Sequence, residues 1–594
     1  MSRIFTQALT KLQLAIIIVI IVIAVVGGAI AALYRPTPPT LTPSPTLTPT
    51  PTVMTPTPTT PPTTPPVVER ILRVSFANVP YPDPAVGSDE ASSNFLANVY
   101  DTLVYVTPNL TIIPWVAEKW DVSSDGLTWT FYLRKGVKFH VTGREMTADD
   151  VYFSLLRLIT IGEGYAYLLA PYVDMNKTKI VDQYTIQIVL KRPYGAFLWA
   201  LLRLYIVDSE LVKQHIKKPG PYGEWGDFGR EWLMSGEKDA GSGPYMIKEY
   251  RRGEAMILQR YKDWWNAKAF APNAPDTVIM YGFTDPSTIR TLMARRELEI
   301  TDQWQPLENY EWMINNIKYV ELAKLPGSSE FYLMLNSQKP PLDDIHVRRA
   351  LAYAFDYETA IKQINPYEKR AITVAPSALL GWCAPPENIT YDPQKAIEEL
   401  KKSKYWGQFD KYPIDYWWIA EVPWEERVAL LFKSNVEGLG VGLKVNVIKM
   451  PWLSVVEALS KVNTSPHIVS IFVQIDYPEV GSMLMNRYHS KTYGTWMQNE
   501  WLYNYQPQLD HMIEDAVATL DNQERYAKYC QVMNYIFNLY PSIYLYEHTT
   551  LKAYQAYYVD WPAAKGNAPY LILGLDLEYW RINVYPEKRA ELLK

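Results

Sequence analysis

With 594 residues, 48% of them hydrophobic and 20% charged, the chain is too long for one core and reads as a globular protein of several domains or lobes. A net charge of −5, without any run of Lys and Arg, excludes the basic field that a nucleic-acid partner requires. The aromatic count is high, 20 Trp and 44 Tyr, which fits a densely packed core before it argues for a ligand cleft.

Arg3 and Lys11 fall within residues 1–11, and residues 12–33 then run without a charge, almost all Ile, Val, Ala, Leu and Gly. At about 1.5 Å per residue this run spans roughly 30 Å, enough to cross a bilayer, and the cationic flank sets residues 1–11 on the cytoplasmic side. It exceeds the apolar core of a cleaved secretory signal, so the expectation is an uncleaved anchor. Residues 34–67 form a Thr/Pro-rich stalk, with 13 Pro and 13 Thr between Pro36 and Pro66. Such a stretch has too little to bury, so it is expected to be an extended, O-glycosylated spacer reaching about 95 Å at about 3.1 Å per residue. Anchor and stalk place the remainder outside the cell, as do glycosylation candidates at Asn109, Asn176, Asn388 and Asn463.

The globular part opens with a strand at Ile71–Phe76. Asp125-Gly126 is a turn signal, and Leu127, Trp129, Phe131 and Leu133 alternate with polar residues in the period of a half-buried strand. Lys135-Gly136 breaks that run and Val137–His140 resumes it, which predicts a hairpin between the two. Thr147 fits a helix N-cap, with Asp149 and Asp150 in the first turn and Val151, Leu155 and Leu158 as the apolar face. Thr185–Leu190 alternates as another strand, and Gly223–Gly243, rich in Gly, Trp and charge, reads as a surface loop. Further helix starts fall at Asp343 or Asp344 and at Asp392-Pro393.

Cys383 and Cys530 make neither a disulfide framework nor a metal spacing, and two buried free thiols are expected in preference to a single bridge. None of the 7 histidines lies in HExxH or at zinc spacing from a cysteine, so no metal and no cofactor is expected. There is no Gly-x-Ser-x-Gly elbow, and Asp149-Asp150 and Glu425-Glu426 read as helix-start charges, so no catalytic residue is assigned and the chain reads as a non-enzyme.

The order Glu118, Trp120, Asp125-Gly126-Leu127-Thr128-Trp129-Thr130-Phe131, Leu133-Arg134-Lys135-Gly136-Val137-Lys138-Phe139-His140, Gly143, Thr147-Ala148-Asp149-Asp150-Val151 resembles the signature of extracellular solute-binding proteins of the oligopeptide/dipeptide ABC-transporter class (solute-binding protein family 5), here in a membrane-anchored form of archaeal type. Val141-Thr142 depart from the Asp-Gly or Asn-Gly that usually follows the His. Pro82-Asp83-Pro84-Ala85, Gly241-Ser242-Gly243-Pro244-Tyr245, Asp343–Asp356 and Tyr391–Ala396 are similar to further family segments. The resemblance implies an α/β, two-lobed, periplasmic-binding-protein-like fold with an extra domain inserted in lobe 1. Lobe 1 would take residues 68–112, 240–328 and 535–594, the inserted domain 113–239 and lobe 2 residues 329–534.

The same resemblance implies a monomer that captures an oligopeptide, or an oligosaccharide, by hinge closure and delivers it to an ABC permease and its ATPase. Within Ile475-Asp476-Tyr477-Pro478-Glu479, Asp476 holds the position that pairs with a bound peptide's free amino terminus; the local alternative is a turn Asp before Pro478. Trp417, Trp418, Trp424 and Trp496 fall in the lobe expected to face the ligand, and Trp382 sits beside Cys383. Their faces would line side-chain pockets or stack on sugar rings, with core packing as the alternative. His140 is expected to be structural. The readings from other classes are a tethered surface hydrolase acting on peptides or glycans, and a surface assembly protein with the same fold.

Overall fold

The computed structural model describes residues 69–594 apart from 421, 423, 460, 462 and 491–505. The expected anchor (12–33), the stalk (34–67) and Trp496 lie outside the described residues, and among those described no helix is long and apolar enough to cross a membrane.

The larger strands fall into three sheets. One has the order Ile71–Phe76, Thr277–Gly282, Ala255–Arg260 and Tyr245–Arg251, its first pair parallel and the others antiparallel. Between its first strand and Tyr245–Arg251 the chain inserts a second, antiparallel sheet of Ala117–Val122, Thr128–Leu133, Thr185–Val189 and Lys179–Asp182. The third is six-stranded and mixed: Lys369–Arg370, Ser542–Gln555, Val320–Leu335, Ile468–Gln474, Ile414–Ile419 and Val445–Met450.

Val320–Leu335 and Ser542–Gln555 join the first and third sheets. At one end Ile300 bridges both Val74 and Tyr554, and at the other Leu333 faces Ile543 within the six-stranded sheet. Their pairing shifts register between Pro326 and Ser329, where Gly327 adopts a φ of +84° that L side chains rarely accept.

Local rules account for the insert. Thr128–Leu133 buries Trp129, Phe131 and Leu133, as its alternation requires. Its hairpin partner is Ala117–Val122, not Val137–His140, which contributes a single bridge from Lys138 to Glu145. The turn that closes the hairpin precedes the strand: the Asp125 carboxylate accepts the Ser123 hydroxyl at 2.5 Å and the Leu127 amide at 3.0 Å. The following helix, Ala148–Ile161, starts with a capping box between Thr147 and Asp150 and stops at Gly162 in the left-handed region. The expected surface loop Gly223–Gly243 instead holds a short helix, Arg230–Ser235, and buries Phe228, Leu233 and Asp239, because that helix packs inward through Leu233.

The expectation of free thiols is overturned. Cys383 and Cys530 form a disulfide with Cα atoms 5.6 Å apart, across 147 residues. Two contacts bring them together. Leu380 exchanges backbone hydrogen bonds with Pro478 and Val480, and Gly381 rests against Tyr526 and Tyr529 of the helix Asn522–Leu539.

Candidate ligand site

Asp476 stands at the end of the strand Ile468–Gln474, just before the helix Val480–Tyr488. Its amide donates to Ser482 Oγ at 2.9 Å, which fixes the turn. Its carboxylate accepts hydrogen bonds from the amide of Asn486 and from the hydroxyl of Tyr167. Tyr167 is 309 residues away in the chain, in the short helix Ala166–Leu168, and is 42% exposed. Asp476 is half-buried, so this carboxylate and a partly exposed tyrosine meet near the surface.

Three residues on, Glu479 is fully buried. It accepts the Arg525 fork at 2.7 and 3.0 Å, Trp199 Nε1 at 2.9 Å and the Tyr529 hydroxyl at 3.1 Å. Trp199 comes from the helix Phe197–Leu201, so this node ties the chain around Tyr194–Leu202 to the Asp476 segment; Gly195 N also donates to Val517 O at 2.9 Å.

The sequence-predicted aromatics separate. Trp382 lies in the strip next to Leu380, beside the Asp476–Val480 segment, half-buried and with a buried Nε1 that meets no partner among the described residues. Trp418 is buried in the six-stranded sheet with Lys449 Nζ 5.2 Å over its ring, and Trp417 is half-buried on the opposite face. Trp424 packs edge-on against Phe331, Phe472 and Tyr546 at 4.9, 5.6 and 6.0 Å. Asn109, Asn176, Asn388 and Asn463 are all exposed. Sequence reasoning missed Tyr167, Asn486 and Ser482. The available signal was the Tyr165-Ala166-Tyr167 pair in a turn flanked by Gly162 and Gly164.

His140 is buried and couples two sequence motifs. Its Nδ1 lies 2.6 Å from Asp239 Oδ1 and its Nε2 lies 2.8 Å from the Gly243 carbonyl. Both partners are acceptors, an arrangement that favours a proton on each ring nitrogen. Burial opposes that charge, but Asp239 and Gly243 outweigh it and raise the His140 pKa above its ordinary value. Gly241, whose carbonyl accepts His140 N at 2.9 Å, has no room for a side chain: a Cβ there would meet Val99 O at 2.1 Å. The altered tip is also anchored, with Thr142 Oγ1 donating to Asp208 at 2.6 Å. These contacts make the signature loop a structural joint.

Residues 111–498 match the family described as bacterial extracellular solute-binding proteins, family 5 middle. The chain belongs to that family. It is 29% identical over 372 residues to the dipeptide-binding protein of Escherichia coli K12, which covers 58% of this chain and 65% of that one. A di/tripeptide-binding protein of Pseudomonas aeruginosa is 28% identical over 376 residues, 60% of this chain and 66% of that one. The chain thus spans about two thirds of the length of these curated relatives. Among solved structures, the periplasmic binding protein DppA of Helicobacter pylori, in complex with the peptide STSA, superposes with a TM-score of 0.68 at 20% identity, over 87% of this chain and 98% of that one. The fold is the two-lobed α/β fold of the family's periplasmic binding proteins.

Proposed function

We propose that the protein captures a peptide between its two lobes and hands it to an ABC importer, binding the ligand without transforming it. The observation that carries this reading is Asp476, a half-buried carboxylate that accepts from the Asn486 amide and from the Tyr167 hydroxyl contributed by a distant part of the chain. A ligand ammonium is the stronger partner, since a charge-assisted hydrogen bond is roughly twice as strong as a neutral one. Displacing the phenol by the ammonium would engage both sides of the cleft at once. Closure is then favoured by whatever affinity the second side adds.

In this reading lobe 1 comprises 68–112, 240–328 and 535–594, the insert 113–239 and lobe 2 residues 329–534. The lobes flex where Val320–Leu335 and Ser542–Gln555 lose register. Residues 12–33 anchor the protein, the stalk lets an external, glycosylated body reach its permease, and the body acts as a monomer. The placement of Trp417, Trp418 and Trp424 in sheet packing favours a peptide over an oligosaccharide, and Trp382 is retained as the aromatic ligand contact. Native mass spectrometry of the intact protein, purified without refolding and then offered peptides and oligosaccharides, tests the proposal. Peptide adducts are expected. Sugar adducts alone would replace the ligand class, turnover of either would restore the hydrolase reading, and binding of neither would favour the assembly reading.

A further inference from the structure

Residues 378–386 form a strip held at both ends. Before it, Ser377 Oγ donates to Glu547 at 2.8 Å; after it, Glu387 accepts from Arg349 at 2.9 Å and from Lys395 at 2.7 Å. Between those ends, the hydrogen bonds that tie the strip to a distant part of the chain, among the described residues, are the two at Leu380. Its amide donates to Pro478 O at 2.9 Å and its carbonyl accepts Val480 N at 3.0 Å. The covalent tie is the bridge from Cys383 to Cys530. A segment with so few contacts of its own keeps one conformation while its tethers hold.

The other half of the bridge stands on the helix that grips the Asp476 segment. Cys530 follows Tyr529 on Asn522–Leu539, and Tyr529 and Arg525 of that helix are partners of Glu479. Gly481 leaves room for this contact, since a Cβ there would collide with the Tyr529 hydroxyl. Ser482, next in the chain, accepts the Asp476 amide. The connections close a ring: strip to bridge, bridge to helix, helix to Glu479, and the Asp476–Val480 segment back to Leu380. Trp382, beside the bridge, rides on the same strip. Opening the ring at the sulfurs leaves the Leu380 hydrogen bonds to hold the strip against the segment that bears Asp476.

Both cysteines are half-buried, whereas Glu479, Arg525 and Tyr529 are sealed. The bridge therefore sits at the border of the core, where thiol–disulfide exchange has access to it. The loop that it closes, 147 residues long, contains Asp476.

We propose that the Cys383–Cys530 bridge is a redox gate on capture: oxidised, it holds the strip and the Asp476 segment in the arrangement that binds, and reduced, it frees the strip so that the bound peptide leaves. This rests on the peptide-capture reading. The reductant is a dithiol. It gives two electrons and two protons, its own sulfurs join as a disulfide, and Cys383 and Cys530 become thiols. Lost preorganisation carries the effect, since each binding event must then order the strip again.

The test is isothermal titration of the intact protein with Ala-Ala, Ala-Ala-Ala and Ala-Ala-Ala-Ala in three states: oxidised, reduced with dithiothreitol, and reoxidised after the dithiol is removed. Thiol titration fixes the oxidation state and circular dichroism the fold. Affinity is expected to fall about tenfold or more on reduction and to return on reoxidation. In the double variant Cys383→Ser, Cys530→Ser it should be low whether or not dithiol is present. Reduction should also speed deuterium exchange at the Leu380 and Val480 amides and leave the Val320–Leu335 amides slow. A second variant loosens the strip with the bridge intact. Val480 opens the helix Val480–Tyr488 and Glu479 before it is extended, so Val480→Pro fits the backbone and removes the amide that donates to Leu380. It should weaken binding in the same direction.

A bridge that only stabilises the fold would lower the melting temperature and leave Kd unchanged below the transition. That result overturns the gate and leaves peptide capture standing. So do a bridge that resists dithiothreitol in the native protein, loss of the native circular dichroism on reduction, and an unchanged affinity in Val480→Pro. Failure of every peptide to bind the oxidised protein removes peptide capture, and the gate with it.

Discussion

Asp476 and Glu479 are three residues apart and have opposite surroundings. Glu479 is sealed among Arg525, Trp199 and Tyr529, every contact short and inside the protein. Asp476 is half-buried and shares its charge with an amide and an accessible phenol. The turn of chain that separates them converts a carboxylate that holds the fold into one that can change partners. The sealed group should therefore govern stability and the open one affinity.

That contrast can be broken in several ways. Replacing Arg525 by Met leaves Glu479 buried without its cation and is expected to lower unfolding free energy by about 3–5 kcal/mol in urea titrations. A loss below about 1 kcal/mol would remove the distinction between the two carboxylates. Reducing the Cys383–Cys530 bridge, or replacing both cysteines by Ser, should cost about 2–4 kcal/mol and loosen the Leu380 strip beside Asp476. Reduction with an unchanged denaturation midpoint would make the bridge incidental. Asp476→Asn should leave stability within about 0.5 kcal/mol. It should weaken peptide binding by about 1.5–3 kcal/mol, roughly 10- to 100-fold in Kd by calorimetry.

The smallest effect is on pH dependence. The folded pKa of His140 is raised, so its contribution is fully present below the ordinary histidine value of 6.5 and is lost as pH rises through the folded value. Melting temperature should decline across that alkaline-going window, and less steeply in His140→Gln. An equal slope in both proteins would show that His140 does not titrate as an imidazolium.

Much of the fold was legible locally. The alternation of Trp129, Phe131 and Leu133 gave the strand, Thr147 and Asp150 gave the helix start, and Asp344 and Asp392 cap the helices Ile345–Ala354 and Pro393–Lys402 as their spacing implies. These signals act between residues at most four apart. The hairpin partner was misread because a strand's period does not say which neighbour it pairs with; the Asp125 turn decided that. The disulfide was misread because its two halves meet only after the Leu380 strip docks beside Pro478. Asp476 was singled out by its segment's resemblance, but its contact with Tyr167 was not legible, since a phenol 309 residues away leaves no local trace.

The two long strands that cross from the first sheet to the third also limit how this molecule can come apart. Ser542–Gln555 is paired along Val320–Leu335 in the third sheet and also bridges Ile300, which bridges Val74 of the first, so neither sheet can melt without stripping hydrogen bonds from the other. Scanning calorimetry of the body should give one endotherm instead of one per lobe, and the slowest amides to exchange with deuterium should form a continuous band along these strands.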